Sequence, residues 1–308
     1  CLHDAGIIVV AVPGAFLPPL LDEIATAARA DKLAPDAVVV SLVKSLHFDE
    51  HAQRVSTVCE DIQSVVGRCS EGNSRRKYLP VVALGGPNIY TEMLRNEFAE
   101  ATIGFDASSG GDRDRAAALR VQRAFTTPYF STSVTSDRLG VELCGGLKNV
   151  VSLAAGFCEG MGLGGNTKAA VIRSGILEMA RLPAALGMPS ADENTVLREA
   201  CGIGDLILTC TMGRGRRLAA AFVDERAAHG PCHSVEASRQ RWADLEAVLF
   251  GGMKIPDWHN ATTVYRALVA QGLGPDQFPL FHAVYEISYG GAHPREILAA
   301  IEASPQLS

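Results

Sequence analysis

The 308-residue chain contains only six lysines, whereas it has 22 arginines. When arginine fills most positive positions, a lysine more often serves in proton exchange or in a point-charge contact, roles that suit it better than arginine. The lysines are therefore the first positions to inspect for chemistry. They are Lys32, Lys44, Lys77, Lys148, Lys168 and Lys254.

Long apolar runs, paired cysteines and an excess of positive charge are also missing. No apolar run reaches the roughly 18 residues of a membrane span, so we expect no membrane-spanning segment. A net charge of −6 and a pI near 5.8 argue against a nucleic-acid-binding surface. The eight cysteines include no C-x-x-C pair, which indicates reduced thiols in an intracellular compartment. His229, Cys232 and His233 lack a second ligand pair, so we expect no metal site.

The first part of the chain alternates between strand and helix patterns, which predicts a doubly wound, mostly parallel sheet. We predict helices up to Arg29, over His51–Val66 and over Arg115–Phe125. From Asp137 onward helical periodicity dominates, so we place a domain boundary near Ser136, giving an α/β domain over 1–136 and an all-helical domain over 137–308. The predicted strands are Gly6–Val12, Val38–Val43, Leu79–Leu84, Ala101–Phe105 and Tyr129–Val134.

No glycine-rich phosphate loop follows any predicted strand. A dinucleotide-binding domain carries G-x-G-x-x-G directly after its first strand. The only match here, Gly160–Gly165, lies between two helical patterns, and no strand precedes it. We interpret it as a hinge between helices.

The stretch from Cys144 to Leu182 has two helical halves, and we predict that the second begins at Asn166–Thr167. Lys148 and Asn149 lie within the apolar run of the first half. Because apolar surroundings disfavour the charged form of a lysine, such a residue can exchange protons near neutral pH. The neighbouring asparagine offers amide groups to orient a substrate or the lysine.

A second group of polar residues lies between Gly204 and Arg217. Asp205 and Thr209 are four residues apart, so in a helix they share one face and could both reach the lysine ammonium. Arg214 and Gly215 come just before a helical run that we predict over Arg216–Val223. Backbone N–H groups at a helix start, together with a guanidinium, suit a phosphate.

These two stretches closely resemble the LKN…GFC.G.G…NTKAA.IR.G..EM block and the ADLxxTCxxGRN segment of NAD-dependent glycerol-3-phosphate dehydrogenases. The resemblance implies interconversion of dihydroxyacetone phosphate, a phosphorylated triose, and sn-glycerol 3-phosphate by hydride transfer. It implies that Lys148 is the acid/base and that Asn149, Asp205 and Thr209 complete the catalytic set. It also implies a Rossmann-type sheet, lacking its first strand and glycine loop here, followed by an all-α domain.

The resemblance assigns further residues to substrate and to the cofactor NAD. Lys44, which ends a Ser-Leu-Val-Lys motif, and Arg214 and Gly215 are expected to bind substrate. Gly215 stands where the family pattern has asparagine, and its backbone amide remains. The residues expected to line the cofactor are Phe16, Asn88, Tyr90, Arg214 and Lys254.

We further expect an N-terminally truncated family member, because the motif Val12-Pro13-…-Phe16 follows the missing unit in the family. The resemblance implies a cytoplasmic homodimer with a role in carbohydrate and glycerophospholipid metabolism. Two alternatives stay open. One is another 3-hydroxyacid or 6-phosphogluconate-type dehydrogenase, in which lysine and asparagine would be one helical turn apart. The other is an inactive truncated chain that acts only in binding or as a scaffold.

Overall fold

The structure is a computed structural model that describes residues 2–12, 16–67, 78–108, 110–188 and 191–304. The chain folds into two compact units, each assembled from several segments. The domain boundary that we predict at residues 136 and 137 stays a prediction. The first unit consists of Cys1–Leu46, Ser56–Gly145 and Ser190–Cys201, and the second of His47–Val55, Gly146–Pro189 and Gly202–Ser308.

The strands of the described residues form one five-stranded sheet and one hairpin. The order in the sheet is β1-β2-β5-β6-β7, and every pairing is parallel except that of β5 with β6. This confirms the mostly parallel sheet. The strands are β1 Ile7–Val10, β2 Val38–Ser41, β3 Leu46–Asp49, β4 Arg54–Thr57, β5 Val81–Gly85, β6 Ala99–Gly104 and β7 Phe130–Thr135.

Helices connect these strands and make up nearly all of the second unit. A short π-helical segment, Ala200–Gly204, precedes α8. The helices are α1 Leu17–Arg29, α2 Val58–Gly67, α3 Tyr90–Met93, α4 Asp112–Phe125, α5 Arg138–Gly160, α6 Gly165–Ala185, α7 Glu193–Arg198, α8 Asp205–Met212, α9 Arg214–His229, α10 Val235–Phe250, α11 Asp257–Ala270, α12 Pro279–Ser288 and α13 Glu296–Ala303.

The core of the first unit lies between the sheet and α4. Val38 and Val40 of β2 point to the same face because side chains alternate along a strand. There they join buried residues of β5, β6 and α4, including Ile103 and Val121. Burying these branched side chains away from water supplies the main stabilisation of this layer.

The segment that we predict as a helix over His51–Val66 instead contains the second strand of a hairpin, followed by a shorter helix. Strands β3 and β4 pair with one another, and α2 begins only at Val58. The carboxylate of Asp49 accepts hydrogen bonds from the backbone N–H groups of His51 and Ala52, which bends the chain there. Gln53 then adopts a φ of 49°, which is incompatible with a continuing α-helix.

Two helices of the second unit begin earlier than the sequence predicts. Helix α6 begins at Gly165, and its N-cap is Gly164 without a side-chain hydrogen bond, so Asn166 lies in the first turn rather than capping it. Helix α9 begins at Arg214 with Gly213 as its N-cap, not at residue 216. In both cases a glycine in extended conformation takes the capping position, which for α6 we expected the side chains of Asn166 and Thr167 to define. The turn Gly160–Gly165 between α5 and α6 confirms the predicted hinge.

Helix α5, with 23 residues, is the longest helix of the described residues. By length and composition it could span a membrane, but its whole apolar window is buried inside the protein, as in the core helix of a soluble fold. Gly156 and Gly160 lie one turn apart on α5, and a Cβ at either would overlap a backbone carbonyl of α9. Their lack of a side chain therefore allows α5 and α9 to approach closely.

Buried glutamates hold the beginnings of two helices. Glu142 of α5 accepts hydrogen bonds from Thr57 Oγ1 at 2.9 Å and from the Cys59 N–H at 2.8 Å, at the start of α2. Glu178 of α6 accepts the N–H groups of Leu280 and Phe281 at 2.7 and 3.0 Å, at the start of α12. These carboxylates satisfy backbone donors that lack an intrahelical acceptor.

Candidate active site

Lys148 is buried in the second unit and is held by two residues of α8. Its Nζ lies 2.5 Å from Oδ1 of Asp205 and donates a hydrogen bond of 2.9 Å to Oγ1 of Thr209. Thr209 in turn donates to the same carboxylate oxygen at 3.5 Å. The side chains of Lys148 and Asp205 are only 6% and 3% exposed. Burying two charges costs free energy unless they lie close together and are hydrogen-bonded. An ion pair in a protein core is therefore a candidate functional site.

The prediction that Asp205 and Thr209 share one helix face and reach the lysine is therefore confirmed, since both lie on α8 and contact Lys148 Nζ. Asn149 follows the lysine on α5 and is also buried. Ser152, one turn after Lys148, donates to the carbonyl oxygen of Thr209 at 3.4 Å. On the other side, the amide of Asn260 donates to the Gly146 carbonyl at 3.3 Å. Helices α8 and α11 thus fix the turn of α5 that carries the lysine.

The first turn of α9 supplies the second part of the site. Arg214 and Gly215 are its first two residues, and the backbone N–H groups of such a turn lack intrahelical acceptors. Arg214 is exposed, and its guanidinium contacts the sulfur of Met253. Gly215, in contrast, is buried. A helix N-terminus with an adjacent guanidinium forms an anion-binding arrangement.

Lys254 lies in the segment between α10 and α11. Its side chain is 71% exposed, and its Nζ lies 3.3 Å from the buried carboxylate of Glu246. The other oxygen of Glu246 accepts the N–H of Ile255 and the indole N–H of Trp258, both at 2.8 Å. This glutamate anchors the segment and leaves the lysine at the surface.

Four of the predicted residues belong to the first unit, at the edge where the parallel strands β1, β2 and β5 end. Phe16 precedes α1 and Tyr90 begins α3, and their side chains are 64% and 73% exposed. The ammonium of Lys44 donates to the carbonyl of Gly86 at 3.2 Å. The amide of Asn88 donates to the carbonyl of Glu100 at 2.9 Å. The carboxyl edge of an open α/β sheet is where ligands bind.

Asp257 is a residue that we did not predict. It is the first residue of α11 and is 5% exposed, and its Oδ1 has no hydrogen-bond partner among the described residues. Burial raises the pKa of Asp257 to about 7, although the charges of Lys148 and Arg214 act to lower it. In the sequence, an acidic residue just after a proline indicates only the start of a helix. The proximity of Asp257 to Lys148 and Arg214 depends on how α11 packs, which the sequence does not reveal.

An open cavity of about 380 Å³ lies in the second unit, away from Lys148. Its lining includes Arg239, Trp258 and Arg266, and none of the candidate residues. Among the residues that the structure describes, no group of three or more histidine, cysteine, aspartate or glutamate side chains could hold a metal ion.

Comparisons with known proteins identify the family of the chain. Residues 137–299 match the family model described as "NAD-dependent glycerol-3-phosphate dehydrogenase C-terminus". The chain is 34% identical over 304 residues to the human cytoplasmic glycerol-3-phosphate dehydrogenase [NAD(+)], covering 99% of this chain and 76% of that protein. It is 32% identical over 305 residues to the glycerol-3-phosphate dehydrogenase 1-like protein of Mus musculus, with the same coverage. A solved glycerol-3-phosphate dehydrogenase from Plasmodium falciparum matches with a TM-score of 0.79 and 27% identity, covering 100% of this chain and 75% of that one.

Proposed function

The chain belongs to the NAD-dependent glycerol-3-phosphate dehydrogenase family, and we propose that it interconverts dihydroxyacetone phosphate and sn-glycerol 3-phosphate with Lys148 as the acid/base. The observation that carries this proposal is the buried Lys148 ammonium between Asp205 and Thr209. Replacing both partners of a buried ion pair by apolar residues is often neutral or stabilising, so stability alone does not account for this pair.

The proposed role of Lys148 follows from the charge that ketone reduction creates. Hydride addition to the carbonyl carbon breaks the C=O π bond and leaves an alkoxide on the oxygen. Nζ of Lys148 gives that oxygen a proton, and in the reverse direction it takes the proton from the hydroxyl group. A lysine at this place also stabilises the negative charge as it develops.

Asp205 and Thr209 are proposed to orient the amine and to assist its proton exchange. The hydrogen bonds run from Lys148 to Thr209 and from Thr209 to Asp205. The carboxylate stabilises the charged form of the amine after a proton is regained. Asn149 is proposed to hold the substrate oxygen through its amide group.

The phosphate of the substrate is proposed to bind at the first turn of α9. Arg214 supplies a guanidinium, and Gly215 supplies a backbone N–H next to it. Arg214 and Gly215 would replace the water that a phosphate loses on binding. Lys44, which follows β2 in the first unit, is a further substrate-binding candidate from the family resemblance.

The cofactor of the family is NAD. Phe16 and Tyr90 expose aromatic rings at the carboxyl edge of the sheet, which suits the planar rings of a dinucleotide. When bound, NAD supplies the hydride chemistry. We propose Phe16, Asn88 and Tyr90 as cofactor-binding residues of the first unit, and the family resemblance adds Arg214 and the exposed Lys254 of the second unit as further candidates.

Assembly and location are proposed from the relatives. The human relative is named cytoplasmic, and we propose the same location for this chain. We also propose that the chain forms a homodimer, as the family resemblance implies. Light scattering on the purified protein tests this oligomeric state.

The proposed activity is tested by substrate comparison. With NADH, dihydroxyacetone phosphate should be reduced, whereas unphosphorylated dihydroxyacetone should react poorly because it lacks the group that Arg214 binds. Preferential turnover of a 3-hydroxyacid would favour the other dehydrogenase type. Binding without any turnover would favour a non-catalytic role.

A further inference from the structure

The side chain of Asp257 occupies space that only a glycine at position 215 leaves open. A Cβ built on Gly215 would overlap the Asp257 Oδ1. That oxygen is buried and has no hydrogen-bond partner among the described residues. A carboxyl group therefore lies directly against the first turn of α9, where the proposed function binds a phosphate. The family pattern has asparagine at position 215, whose side chain this packing would exclude.

A buried polar atom without a partner costs free energy, so a fold that retains one has a reason to do so. The charged and titratable groups facing Asp257 come from four elements. They are Lys148 of α5, Cys210 of α8, Arg214 of α9 and Glu246 of α10. Burial, the largest influence, and Glu246 favour the neutral carboxyl, whereas the two cations and a hydrogen bond from the backbone N–H of Asp257 itself favour the ionised one.

We propose that Asp257 is a positioning residue whose proton controls phosphate binding at the first turn of α9. The inference rests on the proposed function. When ionised, the carboxylate repels a dianionic phosphate and attracts the Arg214 guanidinium away from it. When neutral, it leaves both the guanidinium and the helix N-terminus to the ligand. Substrate binding is therefore linked to uptake of a proton by Asp257.

The size of the effect follows from the ionisation of the free protein. With a pKa of about 7, the protonated fraction of Asp257 falls roughly 15-fold between about pH 7.0 and about pH 8.5. The phosphate of the ligand is already dianionic over this range, since its second pKa is about 6. The dissociation constant of glycerol 3-phosphate should therefore rise by roughly 15-fold over the same interval.

Calorimetric titration with glycerol 3-phosphate at the two pH values tests this on the parent chain and on Asp257→Asn. The asparagine is isosteric and does not ionise, so its dissociation constant should change less than about 2-fold. Glu178→Gln is the matched control, because Glu178 is another buried carboxyl of the second unit whose pKa burial raises to about 7. It lies at the start of α12, so the control should keep the pH dependence of the parent.

A second measurement needs no variant. Titrations of the parent at about pH 7.5, in two buffers with different ionisation enthalpies, should show uptake of roughly three quarters of a proton per ligand. If the parent binds glycerol 3-phosphate with a dissociation constant that does not change with pH and takes up no proton, this inference is overturned and the proposed function stands. The same holds if Asp257→Asn keeps the pH dependence of the parent. No binding of glycerol 3-phosphate by the parent at either pH would overturn both.

Discussion

Replacing Asp205 by asparagine should leave the buried Lys148 ammonium without its charged partner. The two side chains are 6% and 3% exposed and lie 2.5 Å apart, so water cannot replace the lost carboxylate. Removing one partner of a buried ion pair costs about 3–5 kcal/mol of unfolding free energy. The amide oxygen of asparagine still accepts a hydrogen bond, which places the expected loss near the lower end of that range.

Urea denaturation followed by tryptophan fluorescence measures this loss directly. Both tryptophans of the chain, Trp242 and Trp258, are buried in the second unit, so the signal reports the unfolding of the unit that contains the ion pair. Lys148→Met should also be destabilising, because it leaves the Asp205 carboxylate buried and unpaired.

The double variant Asp205→Asn/Lys148→Met distinguishes a paired charge from two independent losses. Because the double variant removes both charges of the pair, its loss of stability should be smaller than the sum of the two single losses by at least about 2 kcal/mol. A loss below about 1 kcal/mol for Asp205→Asn, or additive effects in the double variant, would refute the interpretation of the pair as a buried, mutually dependent unit.

Two further predictions concern residues of the same unit. Arg214→Ala should raise KM for dihydroxyacetone phosphate roughly 10- to 150-fold, the free energy of a charge-assisted hydrogen bond. KM for NADH, which Arg214 is also proposed to contact, should rise far less. Arg217→Ala on the same helix should change neither constant. Steady-state kinetics measures both constants, and equal effects of Arg214→Ala on the two KM values would contradict the phosphate assignment. Burial raises the pKa of Glu178 from 4.5 to about 7. The protonated carboxyl therefore stabilises the fold fully below about pH 4.5, and this stabilisation is lost as the pH rises through about 7. The free energy of unfolding should change by about 3 kcal/mol over this range. Glu178→Gln should remove that part of the pH dependence in urea denaturation, and identical slopes for parent and variant would contradict it.

The architecture is largely predictable because its strongest sequence signals are local. The strands β1, β2 and β5 are near-continuous apolar runs, as buried parallel strands are, and each lies within two residues of its predicted position. The spacing of Asp205 and Thr209 likewise specifies a shared helix face without any knowledge of the fold.

The hairpin β3–β4 could not be predicted from the sequence, because each strand has only four residues and at least half of them are polar. Over such a length, period-2 and period-3.6 patterns are hard to distinguish. The decisive contacts are the turn hydrogen bonds of Asp49 and the left-handed Gln53, which no periodicity reveals.

Buried carboxylates are the second class of feature that escapes prediction. Glu178 and Glu246 lie on helices and would ordinarily be taken for solvated residues. Each is buried because a distant segment brings backbone or indole N–H groups to it. Asp257 is similar, since its position against Gly215 depends on the packing of α11 on α9. Such partners are defined only by tertiary structure.

The central claim is that Lys148 transfers the proton, and the turnover number of Lys148→Arg tests it most directly. Arginine keeps the positive charge beside Asp205 but does not release a proton near neutral pH. Following the loss of NADH with dihydroxyacetone phosphate, we expect kcat to fall roughly 10²- to 10⁴-fold, while the dissociation constant for substrate changes only a few-fold. A variant that turns over within a few-fold of the parent would contradict the assignment of Lys148 as the acid/base.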